Sequence, residues 1–507
     1  MSARPDIVWV MCDQLRWDAV GYAGNPAART PNIDRLAERG AWFESAYCAS
    51  PLCSPARASW LTGTYPHTHR LCNNYAPSRE GIDGCTLSDR CVTIADLLRQ
   101  HGYACGNVGV WHLSDDAVPA HGFTDHWCCF SYVYENLPGP FFGDLEEQGI
   151  ANPYALDAPG IFRYGREMPL GVLTDPRQQR TTWTVDQALA VLERDRDQPL
   201  FLLVGVKDPH PPIIPPPELL ALYDPDRLPF PHNFHDPLEG KPRSQARRRG
   251  RVPPGSVTDE EFRTVMRYYY ALVTHVDRQI GRLVAALERA GRLDRTIFVV
   301  NSDHGEMLGN HGFVEKALMY EESVRVPCLI SWPEAIPAGQ RVTTPFGGVD
   351  LVPTLLGLAG APAPASLEGR SMAPAIMAGA VPEPAPVFAE VAGAAAIYEG
   401  DRDPAQLAAH VMVVADRWKY VWNRFEIDEL YDLAGDPAEM HNRAQSPSCA
   451  ERVAGMRRLI VAMLERNGPG WYDWCTQLPH AGRAGLARLQ PVPADPVQPL
   501  VPHRLDT

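Results

Sequence analysis

The 507-residue chain has no run of ~18 apolar residues that could cross a bilayer. Its 12 cysteines form no C-x-x-C pair and show no zinc-finger spacing. No internal repeat divides it. Positive charge is scarce: 47 lysines and arginines against 61 aspartates and glutamates leave a formal net charge of -14. Each absence excludes something. The first argues against a membrane-spanning helix. The opening MSARPDIVWVMCDQ has a short apolar run that ends in Asp13 with no small-residue cleavage site, so a buried strand is expected there and not a signal peptide. Scattered cysteines fit reduced thiols, so the expected location is the cytoplasm. The charge balance argues against a nucleic-acid partner, which needs clustered cations. One basic cluster, KPRSQARRRGR at 241–251, is expected to be a solvated loop because it sits among prolines and glycines.

What is present is an ordinary globular composition, 45% apolar and 21% charged, enough to bury a large core. Short apolar runs alternate with helix-like segments, the pattern of an α/β sheet with helices on its faces. Strands are expected at 7–11 (IVWVM), 201–206 (FLLVGV), 296–300 (TIFVV) and 327–332 (PCLISW). Helices are expected at 31–39 and 54–62, and a long one after Thr258, which forms a capping-box pattern with Glu261. Its stripe of Phe262, Val265, Met266, Tyr269 and Leu272 at helical spacing predicts core packing. A composition shift at 377–386 reads as a linker, and 410–422 alternates like paired antiparallel strands with a turn near Ala415-Asp416. The expected organisation is a large α/β catalytic domain over 1–380, a smaller α+β unit over 381–475 and an extended tail over 476–507. That tail could wrap the body or a second subunit, so a homo-oligomer is expected.

Three of the apolar strands run into polar residues. The first ends in Cys12-Asp13-Gln14, the second in Lys207-Asp208-Pro209-His210, the third in Asn301-Ser302-Asp303-His304-Gly305. Ligands of open α/β sheets bind at the carboxyl ends of strands, so these ends could form one site. Asp13 and Asp303 are hard oxygen ligands suited to Ca²⁺, Mg²⁺ or Mn²⁺, Gln14 could add an amide oxygen, and His304 could complete the set. Cys53 precedes the expected helix 54–62, whose N-terminus favours an anion, and Arg57 lies one turn on. Two readings of Cys53 stay open at this level. It is a nucleophile with a lowered pKa, or a small buried apolar side chain beside an incidental arginine. His67, His69, His232 and His235 show no ligand spacing and are expected in packing or surface roles.

Cys53-Ser54-Pro55-Ala56-Arg57 followed by LTG at 61–63 resembles the C-x-P-x-R signature of the type I sulfatases, in the alkaline phosphatase superfamily. TPNIDRLAERG (30–40), DPHPP (208–212), NSDHGEMLGNHGFVEK (301–316), YEESVRVPCLI (320–330), DLVPTLLGLAG (350–360) and ELYDLAGDPAEMHN (429–442) extend the likeness in family order. The resemblance implies an alkaline-phosphatase-like fold, with a large, mixed, mostly parallel sheet flanked by helices and a C-terminal antiparallel sheet. It also implies a sulfate-monoester hydrolase whose Cys53 is converted to Cα-formylglycine by a formylglycine-generating enzyme. Asp13, Gln14, Asp303, His304 and the modified Cys53 would hold one divalent metal ion, Ca²⁺ or Mn²⁺, with Mg²⁺ possible. Arg57 would stabilise the ionised formylglycine hydrate, His112 would assist its turnover, and His210 and Lys316 would contact the transferred group and help the leaving oxygen depart. Asn74 lies where the phosphonate monoester hydrolase branch places an asparagine near the nucleophile.

Two departures bear on specificity. Val110 in GVWHLS (109–114) stands where many sulfatases have a sulfate-binding lysine, and Lys207 is a candidate to supply that charge from another strand. CDQ (12–14) replaces the paired aspartates of many arylsulfatases, a form shared with choline-sulfatase-like and phosphonate-hydrolase-like branches. The alternative expectation is a phosphonate monoester or phosphodiester hydrolase on the same scaffold. A catalytically silent binding protein would have no use for Cys53, Arg57, Asp13, Asp303, His112, His210 and Lys316 together.

Overall fold

The computed structural model describes residues 4–467 apart from 76–84, 115–119, 128–139, 156–157, 159–160, 165–167, 250–254, 256, 392–409 and 424–425. The expected tail at 476–507 and the Cys128-Cys129 pair lie outside the described residues.

The main sheet has eight strands: β1 (Asp6–Asp13), β2 (Ala41–Phe43), β3 (Ala104–Gly109), β4 (Asp125–Trp127), β5 (Leu200–Pro209), β6 (Thr296–Ser302), β7 (Cys328–Ser331) and β8 (Gln340–Val342). Their order is β8-β2-β7-β6-β1-β5-β3-β4. Only β7 runs against its neighbours β6 and β2; the other pairings are parallel. The central strand β1 is apolar from Ile7 to Cys12, as suits a strand covered on both faces. Ile7, Trp9 and Met11 enter one core cluster, whereas Val8, Val10 and Cys12 enter the other.

Helices cover both faces, as the alternation of apolar runs predicts. α1 (Pro31–Glu38) and the long α4 (Asp259–Arg289) bury their apolar stripes in the cluster that holds Val8 and Val10. Thr258 caps α4 in the expected box, accepting from the Glu261 backbone N–H while the Glu261 carboxylate accepts from the Thr258 N–H at 2.8 Å. On the opposite face lies α2 (Cys53–Thr62), which begins at Cys53 itself, one residue earlier than its sequence predicts. Every residue of α2 is buried, so the helix is a core element and cannot tilt freely.

Strand register brings the polar ends together. Ile7 pairs with Phe201 on one side and Ile297 on the other, so β1, β5 and β6 finish at one level. The second sheet is antiparallel: β9 (Val387–Val391), β10 (His410–Ala415), β11 (Trp418–Asn423) and β12 (Glu429–Asp432). The β10–β11 turn holds Asp416 at φ 53°, where the sequence predicts a turn. α5 (Ala450–Asn467) packs on this sheet through Val453 and Ile460, in a cluster that also takes in Ala49, Tyr65 and Val349 of the main body.

The basic cluster is not a solvated loop. Residues 243–249 form α3 (Arg243–Arg249). Just before it, the Lys241 ammonium is fully buried, 2.6 Å from Asp236 Oδ2 and 3.2 Å from His311 Nδ1. Arg248 and Arg249 donate to the Lys316 and Asp236 carbonyls. Composition alone suggests solvation because His311 and the Lys316 carbonyl lie far along the chain and nothing local marks nearby Asp236 as a buried partner.

Candidate active site

At the carboxyl end of β1 the chain turns sharply. Gln14 adopts φ 71°, a left-handed conformation unusual for a residue with a side chain. The Asp13 carboxylate and the Gln14 carboxamide are both buried there. Asp303 and His304 follow β6 directly, and the Asp303 N–H donates to Cys12 O at 2.9 Å, tying the two strand ends together.

Cys53 reaches this place from the N-terminus of α2. Its Sγ lies 3.1 Å from His304 Nε2 and 3.8 Å from Asp13 Oδ1. The donor atoms of Asp13, Cys53, Asp303 and His304 all lie within 4.8 Å of one another, and all four residues are buried. His304 Nδ1 donates to Gly305 O at 2.9 Å, which fixes the tautomer and turns the Nε2 lone pair toward the carboxylates. Two buried carboxylates, an imidazole lone pair and a nearby amide oxygen are a donor set that fits a hard divalent cation.

Cations of the chain itself surround the same carboxylates. Arg57 NH2 is 2.9 Å from Asp303 Oδ2, and Lys207 Nζ is 2.9 Å from Asp13 Oδ2. Burial alone would raise the Asp13 pKa, but the Lys207 and Arg57 charges hold it well below the usual carboxylate range. Cys53 goes the other way: burial first, then the Asp13 charge, push its thiol up to about 12. The position at a helix N-terminus does not by itself lower it, contrary to the expectation for such a place. Desolvation in a sealed, acidic cluster outweighs the helix dipole.

Lys316 approaches from the segment after β6. Its Nζ donates to Gln14 Oε1 at 2.6 Å and to His210 Nε2 at 2.9 Å. The flanking residues Glu315 and Ala317 have φ values of 70° and 68°, and Ala317 N donates to Pro51 O at 2.9 Å, anchoring Lys316 beside the start of α2. His210 Nδ1 donates to Pro211 O at 2.6 Å, so Nε2 is the accepting nitrogen. Burial, then Lys207 and Lys316, keep His210 well below the ordinary histidine range and therefore neutral.

His112, at φ 64° just past β3, is neutral too, through burial and then Lys207 and Arg57. Its Nε2 donates to Tyr75 O at 3.1 Å, which leaves Nδ1 as the basic nitrogen. Ser54 knits this edge together. Its N–H donates to Asn74 Oδ1 at 3.0 Å, and its hydroxyl donates to His112 O at 2.5 Å and accepts from Tyr75 N at 2.9 Å. Asn74 therefore sits one residue from Cys53. Val110 packs into the apolar core and contributes only its carbonyl, 3.3 Å from Arg57 NH1.

All ten residues singled out from sequence thus lie in this one neighbourhood. Among the histidines set aside, His67 is buried against Glu390, His69 bonds Ser59, and His235 is exposed beside Asp259. Sequence reasoning passed over two contributors. Ser54 and Glu306 both lie inside quoted motifs, but only the fold reveals what they touch.

The arrangement has relatives. A family model described as sulfatase matches residues 5–361, and a second, described as N-sulphoglucosamine sulphohydrolase, C-terminal, matches 309–466. An N-acetylglucosamine-6-O-sulfatase of Bacteroides thetaiotaomicron is 28% identical, covering 90% of this chain and 86% of its own. An arylsulfatase of Clostridium perfringens is 29% identical over 93% and 96% respectively. The structure of a phosphonate monoester hydrolase from Silicibacter pomeroyi superposes with a TM-score of 0.77 at 25% identity, covering 92% of this chain and 96% of that one. The first family model alone spans well over half of the sequence and takes in all ten residues of the site: the chain belongs to the sulfatase family.

Proposed function

We propose that this protein hydrolyses sulfate monoesters at the cluster around position 53, after a formylglycine-generating enzyme has converted Cys53 to Cα-formylglycine. One observation carries the reading. Cys53 starts α2 with its Sγ 3.1 Å from His304 Nε2 and 3.8 Å from Asp13 Oδ1, in a cluster whose donor atoms all lie within 4.8 Å of one another and whose two carboxylates are bridged by Arg57. A formylglycine hydrate would supply one hydroxyl to attack sulfur and a second through which sulfate is later released. A divalent cation held by Asp13, Gln14, Asp303, His304 and residue 53 would supply charge stabilisation for that hydroxyl and for the sulfuryl oxygens.

The chain's own residues do the rest. Arg57 and Lys207 face the side of Asp13 and Asp303 from which negative charge at position 53 is stabilised. Lys316 carries a proton beside neutral His210, so this pair delivers a proton to the departing alcohol oxygen. His112, with Nδ1 basic, accepts the proton of the second hydroxyl. Lys207 takes over the electrostatic role of the lysine that Val110 replaces.

Phosphonate monoester or phosphodiester hydrolysis at the same site is the second reading, supported by the likeness to the Silicibacter pomeroyi enzyme. The free cysteines among the described residues support a cytoplasmic location. Among the described residues no helix is long and apolar enough to cross a membrane. The test is intact-mass measurement for the conversion at Cys53, followed by kcat/KM for an aryl sulfate against an aryl phosphonate monoester on fully converted enzyme. A higher value for the sulfate supports the first reading, and the reverse order supports the second.

A further inference from the structure

Gln14, like His304, is a proposed metal ligand whose donor end is not set by its own chemistry; for His304 the Gly305 carbonyl sets it. An aspartate offers oxygen from either end, whereas a carboxamide offers oxygen from one end and an N–H₂ group from the other. A flip of χ3 would turn the site's amide oxygen into a donor that repels a cation. Something must hold it.

Glu306 is placed to do so. Its side chain is buried, and Oε2 accepts from Gln14 Nε2. The second oxygen, Oε1, accepts from Leu308 N at 2.9 Å and from Glu315 N at 2.6 Å. The carboxylate is therefore itself fixed by two backbone N–H groups. Gln14 Oε1 then has one direction left, toward Lys316 Nζ at 2.6 Å. The flipped amide would set oxygen against the carboxylate and N–H₂ against the ammonium, so a single orientation satisfies both neighbours. Of the two, Lys316 is the one expected to turn to substrate, and Glu306 touches none of the reacting groups.

The backbone repeats the arrangement. Gln14 is held at φ 71° by its N–H to Asp303 Oδ1 at 3.1 Å and by Tyr269 OH donating to Gln14 O at 2.8 Å. With main chain and amide plane both set, the Gln14 oxygen is preorganised before any cation arrives.

We infer that Glu306 is a positioning residue that orients the Gln14 carboxamide with its oxygen toward the metal cradle and, through Glu315, sets the loop that carries Lys316. The inference rests on the metal-site reading above. Glu306→Gln keeps the shape but offers only one accepting oxygen for the two sets of donors.

The test is a double-mutant cycle on the full chain, read by calorimetric titration with Mn²⁺ and with Ca²⁺, with thermal melts as a check of folding. Glu306→Gln is expected to weaken metal binding ~10–100-fold when residue 14 is glutamine. In a Gln14→Glu background both ends of residue 14 are oxygens, and the carboxamide introduced by Glu306→Gln can donate to one of them. There the same change is expected to cost less than about threefold, within the scatter of independent effects. An equal loss in both backgrounds, or no loss in the first, overturns the inference. Failure of Glu306→Gln to fold while the double variant folds and binds supports it; failure of both to fold makes Glu306 a scaffold residue and overturns it. If the parent chain binds neither ion, the metal-site reading fails first, and the two failures are told apart.

Discussion

Arg57 and Asp303 form a fully buried ion pair, with NH2 2.9 Å from Oδ2, and the same nitrogen lies 3.3 Å from Asp13 Oδ2. Two carboxylates that would repel each other at the end of the sheet are thereby bridged by one guanidinium from α2. This pair positions the helix N-terminus, and with it residue 53, over the strand ends. Arg57→Ala leaves both carboxylates short of a partner. Metal-free protein is expected to lose ~3–5 kcal/mol of stability, measured by urea unfolding. Added Mn²⁺ or Ca²⁺ should restore part of that loss, since a cation replaces the missing charge; no restoration would count against the cradle.

Lys207 is expected to matter for turnover more than for folding. Losing one charge-assisted contact at ~1.5–3 kcal/mol corresponds to a ~10–150-fold fall in kcat/KM for Lys207→Met. If Lys207 does the work of the lysine that Val110 replaces, Val110→Lys should recover a good part of that loss in the Lys207→Met background. Steady-state kinetics on an aryl sulfate decide it, and an unrescued double variant would assign Lys207 to Asp13 alone.

Unconverted Cys53 should behave as an inert thiol. Burial and the neighbouring Asp13 push it up to about 12, so native protein treated with iodoacetamide at pH 8 should leave Cys53 unmodified while unfolded protein reacts. Mass mapping reads this directly. Cys53→Ala is expected to lower kcat by at least ~10³-fold, because it removes the precursor of the nucleophile.

His67 adds a pH dependence to stability away from the site. Burial works against its charge, but Glu390, 2.6 Å from Nδ1, and Glu368 raise its pKa above the ordinary value. The folded chain therefore holds this proton more tightly than the unfolded chain does. The stabilisation is complete below the unfolded value of about 6.5 and is lost as pH rises through the higher folded value. The stability difference between the parent chain and His67→Gln should shrink between pH 6 and pH 9 in urea titrations. A difference that stays constant would mean that His67 is neutral throughout.

Much of the frame was legible because it is written locally. IVWVM at the start of the chain carries its own β propensity and doubly buried pattern, Thr258 and Glu261 carry their own cap, and Ala415-Asp416 marks its own turn. Asp13, Gln14, Cys53, Arg57, His210, Asp303 and His304 could be found because strand ends and a helix start converge by rule in this class of sheet, whereas Asn74, His112 and Lys316 came only from the family resemblance. The local rules failed where a residue's partner is remote. Lys207 pairs with Asp13 across 194 positions and Glu306 with Gln14 across 292. The run at 241–251 looked solvated because His311 and the Lys316 carbonyl were out of view, and without them the nearby Asp236 gave no sign of being a buried partner.

By itself the sequence determined which segments become strands and helices, and which polar side chains stand at their ends, because these depend on periodicity and capping over a few residues. Tertiary structure alone decided the ionisation of Cys53, the tautomers of His112, His210 and His304, and the direction of the Gln14 amide. Those properties depend on burial and on the distance to charges brought from elsewhere in the chain, and such distances exist only after folding.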